Sequence, residues 1–292
     1  PTYKTGTDGR YMPASEYKTT ANALYDDNYP YVETRYESDP RRRLISETNP
    51  GDVLKYKPLS KSYSFNEAND VKKICINDTG TVIEFKGTYP ANELYVTESR
   101  NEDGCRELIY TDKEGKKILA RSMNGTEKID TYFAYDFAGR LAVVITPEGT
   151  NEATIQNYKS IAISSAFVDT YCYYYHYDSR GSVTTKHIPG GAYEEMNYDS
   201  YCRLWRRWRG AQNTYWDEKY LEQYSYDQLN RIKEVAILVM PISAGITSSS
   251  YTRNPVTMSA YIYDNYKGVP AALDESSNPA FVANPRGEKT YE

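Results

Sequence analysis

Apolar and polar residues alternate with a period of two along most of this chain. Residues 71–76 and 82–85 form one pair of such runs, 117–123 and 126–135 a second, and 183–188 and 193–198 a third. Successive strand side chains point to opposite faces, so this pattern predicts half-buried strands. Short polar breaks separate the runs. Asp78-Thr79-Gly80, Asn124-Gly125 and Pro189-Gly190-Gly191 read as hairpin turns, with Asn124-Gly125 as a two-residue turn. About fifteen strands are expected, mostly joined as a meander.

Three stretches depart from the alternation. Ile155, Tyr158, Ala162 and Ala166 stand near helical spacing, which predicts a short helix over 150–167 capped by Thr150. Residues 241–254, with Ser248-Ser249-Ser250, read as a long loop. Residues 1–60 hold Pro13, Pro30, Pro40, Pro50 and Pro58 and alternate weakly, so they are expected to be an extended lead-in packed on the array formed by 61–292.

Within the array one phrase returns. It runs Tyr135-Asp136-Phe137-Ala138-Gly139-Arg140, then Tyr177-Asp178-Ser179-Arg180-Gly181, Tyr198-Asp199-Ser200-Tyr201-Cys202-Arg203 and Tyr226-Asp227-Gln228-Leu229-Asn230-Arg231. Tyr263-Asp264 is a looser copy, and 101–104 and 110–116 are degenerate ones. The aspartate opens a turn, because its carboxylate can accept from the N–H two residues on. The glycine at the fourth place takes the left-handed conformation that closes a bulged hairpin. Asn230 tolerates that conformation; Cys202 does not, so its hairpin is expected to be strained or differently shaped. Each phrase is read as a hairpin corner whose Arg or Lys starts the return strand.

Composition sharpens this picture. Tyrosine occurs 32 times against six Phe and three Trp. Tyr favours strands and packs as a hydrophobe with a polar tip, which suits thin sheets. A net charge of −5 and no apolar run long enough to span a bilayer give no reason to expect nucleic acid or direct membrane insertion. The four cysteines, Cys75, Cys105, Cys172 and Cys202, form no CxxC pair and are read as free buried thiols rather than a zinc site. The start at Pro1 and the end at Glu292 read as those of an internal fragment.

The Tyr-Asp hairpin phrases resemble the YD repeats of the RHS family. So do the order of 29–37, 68–71, 93–95 and 133–136 along the chain. The resemblance implies an all-β fold, an antiparallel hairpin ribbon that coils into a partial shell or open spiral sheet with at most one or two short helices. It also implies a secreted or cell-surface protein whose shell encloses or presents a C-terminal effector. The partners implied are the rest of the parent protein and that effector. The family's aspartyl self-cleavage region has no counterpart here.

Chemistry finds few footholds. His176 and His187 flank one hairpin without a third ligand and are read as structural. The repeat aspartates have a turn role that accounts for them without a glycosidase mechanism. No catalytic residue, metal ligand or cofactor is expected. Tyr171, Tyr173 and Tyr175, together with Trp205 and Arg207 of the Trp205-Arg206-Arg207-Trp208-Arg209 cluster, form a possible ligand face that would suit cell-surface carbohydrate. The alternative use for these arginines is pairing with Glu194 and Glu195 on the preceding strand. Open sheet edges give a further expectation, self-association.

Overall fold

The computed structural model describes residues 29, 31–51, 53–155, 157–191, 193–210, 218–241, 243–250, 253–263 and 289–291. Asp264 and residues 1–28 of the lead-in lie outside the described residues, as do 251–252 of the 241–254 loop. The fold is all-β and antiparallel, in open sheets rather than a closed barrel, and the chain divides into two compact units, Pro1–Ala162 and Ile163–Glu292.

In the first unit the main sheet runs in the order β1 (Glu33–Tyr36), β2 (Leu44–Thr48), β3 (Leu59–Phe65), β6 (Tyr95–Arg100), β7 (Arg106–Thr111), β8 (Lys117–Asn124), β9 (Glu127–Tyr135) and β10 (Leu141–Ile145). A smaller sheet takes two of its three strands from the stretch between β3 and β6. It is formed by β4 (Lys72–Ile76), β5 (Val82–Thr88) and β11 (Ser160–Ala162). Its Val71, Ile74, Ile76 and Ile83 are buried, as are Val96, Tyr110, Leu119, Tyr132 and Ile145 of the main sheet. β4 and a short helix, α1 (Pro147–Ile155), both pack on β9. The region expected to be lead-in therefore contributes β1 and β2 directly to the sheet.

The second unit holds β12 (Cys172–Tyr177), β13 (Val183–His187), β14 (Tyr193–Tyr198), β15 (Leu204–Arg209), β16 (Glu218–Tyr226), β17 (Ile232–Pro241) and β18 (Arg253–Ala260), hydrogen-bonded in that order. Each strand pairs with its sequence neighbour, so the sheet is a pure meander. Leu221, Leu238 and Met240 form a core cluster against Trp208, Ala244 and Ile246. A two-stranded pair, β19 (Ile262–Tyr263) and β20 (Lys289–Tyr291), places the backbone of Tyr263 in a strand.

Two local expectations differ from what is found. In place of one helix over 150–167 there are two, α1 and α2 (Ala166–Tyr171), with β11 between them. Pro147 suits the first turn of a helix, where its missing N–H has no partner to lose, so α1 starts before Thr150. Ile161 is buried and pairs with Ile83 of β5, which turns the middle of the stretch into a strand.

The second difference is the 124–127 turn. Asn124 pairs with Glu127, so the two-residue loop is Gly125-Thr126, one place later than Asn124-Gly125. Gly125 has φ +62°, the first-position positive φ of a type II′ turn. The register explains the choice. It sets Arg121 opposite Asp130 and Leu119 opposite Tyr132, whereas an Asn-Gly-centred loop would set Arg121 opposite Lys128.

Candidate functional site

Among the described residues, the Tyr-Asp phrases at Asp136, Asp178, Asp199 and Asp227 build the same turn. At Asp136 the backbone N–H donates to the Arg140 carbonyl at 2.9 Å, and the Gly139 N–H donates to the Asp136 carbonyl at 2.9 Å. Oδ1 of Asp136 accepts from the N–H of Ala138 at 2.9 Å and of Arg140 at 2.8 Å. The remaining oxygen takes the Arg140 guanidinium at 2.7 Å. Asp178, Asp199 and Asp227 repeat this pattern.

The degenerate copies fold the same way. Asp112 accepts from the N–H of Glu114 and Lys116, and Asn101 does so from Asp103 and Cys105. An amide oxygen thus does the backbone work as well as a carboxylate. The guanidinium is an addition: Arg203 and Arg231 reach back to Asp199 and Asp227 at 2.7 Å, while in the Asp178 turn Arg180 takes that place at 3.2 Å.

The fourth place is left-handed throughout, with φ +76° at Gly139, +89° at Gly181, +61° at Cys202 and +65° at Asn230. The Cys202 hairpin keeps the common shape, because the Asp199 hydrogen bonds and the ladder on both sides over-determine it. The strain expected there is carried by the Cys202 backbone itself.

Sequence reasoning left the tyrosine of Tyr-Asp as a packing ring; the structure gives its hydroxyl a fixed partner. Tyr135 donates to the Lys117 carbonyl at 2.9 Å, Tyr198 to Val183 at 2.9 Å and Tyr226 to Leu204 at 2.7 Å. Tyr63, outside the phrase, does the same to Leu44 at 3.0 Å. Every acceptor is the first residue of the return strand in the preceding hairpin. These residues sit at the bulges where the ladder register shifts, so the ladder leaves their carbonyls room for another donor.

The basic residue just before each of three acceptors lies over the same ring. Arg43 stands 4.0 Å from the Tyr63 centroid, Lys116 5.8 Å from Tyr135 and Arg203 4.5 Å from Tyr226. Turns also touch directly: Arg180 donates to the Asp199 carbonyl at 2.9 Å and Arg203 to Asn230 Oδ1 at 2.8 Å. The turn edge is therefore a stitched row, hairpin to hairpin, within each unit.

Electrostatics follow from these contacts. Partial burial would raise the Asp199 and Asp227 carboxyls, but hydrogen bonds from the turn N–H groups and from Arg203 or Arg231 hold both below the usual carboxylate range. Asp178 is lowered in the same manner by Ser182 and Arg180.

The possible ligand face divides. Tyr175 pairs with Lys186, Lys186 with Glu194 and Glu194 with Arg209, so Tyr173, Tyr175, Trp205, Arg207 and Arg209 share one face of the second unit's sheet. Tyr171 does not belong to it: it ends α2, its ring 5.4 Å from Phe167. Arg207 is engaged on both sides, at 3.7 Å from Glu194 and 2.9 Å from Glu222, with the Tyr224 hydroxyl at 2.8 Å. Glu194 is the partner expected on the preceding strand, and Glu222 comes from the following one. Arg206 is buried and donates to the carbonyls of Ile246 and Ser248 at 3.0 and 2.6 Å, which holds the 243–250 loop.

The two histidines lie in one hairpin, as their spacing suggests. His176 is exposed with Nδ1 3.0 Å from Thr184 Oγ1, and His187 is fully buried. All four cysteines are free, but of the four only Cys172 is buried: Cys75 is half-buried, and Cys105 and Cys202 are exposed, since both fall in turns. No group of three or more potential metal ligands occurs among the described residues.

No protein-family model and no curated protein matches the chain. Solved structures do match at low similarity. TcdB2-TccC3-TEV aligns at 11% identity and a TM-score of 0.24, covering 77% of this chain and 14% of that chain. TcdB2-TccC3-Cdc42 and TcdB2-TccC3 each align at 10% identity and a TM-score of 0.25, covering 75% and 76% of this chain. The chain spans 14% of the length of each of these structures.

Proposed function

We propose that this chain is a non-catalytic, YD-repeat structural segment of a secreted or cell-surface protein of the RHS kind, forming part of a wall that encloses or presents a C-terminal effector. One observation carries the reading. In the repeated phrase the tyrosine hydroxyl is bonded to the preceding hairpin and the aspartate to its own turn, while Arg203 reaches both its own Asp199 and Asn230 in the turn of the next hairpin. Residues used in this way join one hairpin to the next, which is the work of a wall. The partners proposed are the remainder of the parent protein and its effector. Self-association through sheet edges belongs to the same proposal, since Val256 and Met258 are exposed on β18, the last strand of its meander.

The test is co-expression of the chain with the segments encoded on either side of it. A complex that co-purifies and resists protease is the expected result. Failure to associate, together with a monomer in sedimentation at high concentration, would sink the proposal.

A second reading, carbohydrate binding, is favoured by the shared face of Tyr173, Tyr175 and Trp205. Saturable glycan-array binding that disappears in Trp205→Ala would support it over the first.

A further inference from the structure

His187 is fully buried, and both of its ring nitrogens face oxygen acceptors. Nδ1 lies 3.2 Å from the Cys172 carbonyl oxygen and Nε2 lies 3.0 Å from Oδ1 of Asp169. A neutral imidazole has one N–H and one lone pair, so either tautomer would aim a lone pair at one of these oxygens. Only the imidazolium donates to both.

We propose that His187 is held as an imidazolium that clasps Asp169 of α2 to the start of β12, and that this clasp is a proton-operated latch on 165–171 and the 188–191 turn. The latch reaches both segments through Asp169. Its carboxylate meets His187, while its backbone carbonyl accepts from the Gly190 N–H at 2.7 Å. Gly191 closes the same turn by donating to Ile188 at 2.8 Å. α2 has six residues, too few to be stable without such tethers.

The surroundings isolate the switch. From β12, Cys172 and Tyr174 face the ring; from β14, Tyr193 lies with its ring centroid at 4.3 Å; from α2 comes Asp169, which supplies the negative charge. Burial pushes the Cys172 thiol up to about 12 and the Tyr174 and Tyr193 phenols above their ordinary values. These three groups stay neutral while a histidine changes charge.

The sign follows from the hydrogen-bond count. The clasp needs both ring protons, so the latch is closed where both are present and opens as rising pH removes one.

The chain has two histidines, so nitrogen-15 spectra of histidine-labelled protein contain two rings, and His176→Gln assigns them. Both His187 nitrogens are expected to carry protons at about pH 6.5. On raising the pH to about 8.5, protection factors for amide exchange in 165–171 and 188–191 should fall about ten-fold relative to β16 and β17, the loss of one charge-assisted hydrogen bond. Asp169→Asn should show the neutral ring and the lower protection at both pH values. A neutral His187 tautomer in the folded wild type at the lower pH, or protection that does not change between the two, would overturn the proposal.

Discussion

The phenolic hydroxyl of Tyr226 donates to the carbonyl oxygen of Leu204 at 2.7 Å, while the Arg203 guanidinium, one residue earlier in the acceptor hairpin, lies 4.5 Å from the same ring's centroid. The hydrogen bond and the ring contact are separable. Tyr226→Phe keeps the ring and leaves the Leu204 carbonyl without its donor, which should cost about 1 kcal/mol in urea unfolding. Tyr198→Phe should cost about the same through Val183. Tyr201→Phe is the control, since Tyr201 is exposed at a turn tip and should show no change.

Cys202 occupies a position with φ +61° that its neighbours in the repeat fill with Gly or Asn. Cys202→Gly removes the clash between Cβ and backbone and should raise stability by about 1 kcal/mol, read as a higher melting temperature. Gly139→Ala should go the other way. Gly139 has φ +76°, and a Cβ there would lie 2.8 Å from Lys116 Nζ, so a lysine must also move.

Much of this was legible in the sequence because turns are short-range. The side chain of Asp136 meets N–H groups two and four residues on, and glycine at the fourth place has a single steric reason, so both show in one phrase. The hydroxyl of Tyr226 meets a carbonyl 22 residues away, and no local signal marks that acceptor. The spacing between repeats varies, which hides the rule that the acceptor opens the preceding return strand. The Gly125-Thr126 turn was displaced from the local optimum by a long-range term, the pairing of Arg121 with Asp130. Glu222 was missed as a partner of Arg207 because it belongs to the following strand, and residues 210–217 intervene in sequence.

The depressed carboxyls predict acid sensitivity. Asp70, Asp178, Asp199 and Asp227 all titrate below their ordinary value in the folded chain. A depressed acid contributes stability that is fully present above its unfolded value, about 3.9, and is lost as pH falls through the folded one. The contribution of these carboxyls should thus be level across neutral pH and drop below about pH 4. Asp199→Asn keeps an oxygen for the turn N–H groups, as Asn101 does, but loses the charge that pairs with Arg203. That variant should be nearer to wild type in acid than at neutral pH, measured by thermal unfolding across the range.

Arg121 gives the strongest and most diagnostic case. Its guanidinium is nearly inaccessible and donates to both carboxylate oxygens of Asp70 at 2.8 Å, to Asp130 at 2.7 and 2.8 Å, and to the Tyr110 hydroxyl at 3.1 Å. Asp70 precedes β4, so the cluster pins the small sheet of the first unit onto β7, β8 and β9. Burial would raise the Asp70 carboxyl, but hydrogen bonds from Lys128 and Arg121 hold it low. Arg121→Met takes the guanidinium from two acidic groups in a part-buried site, leaving Asp70 with Lys128 and the Tyr110 hydroxyl, and should cost about 3–5 kcal/mol at neutral pH. The slope with pH should reverse over mildly acid conditions. Without the guanidinium the two neighbouring carboxyls repel each other in a part-buried site, so protonation as pH falls relieves the repulsion, and stability should rise where the wild type begins to lose it. Arg121→Met with Asp130→Leu should recover much of the loss, because Lys128 still serves Asp70 at 2.8 Å. A single variant that loses stability in acid as the wild type does would show that the cluster is solvated and does not fasten the two sheets.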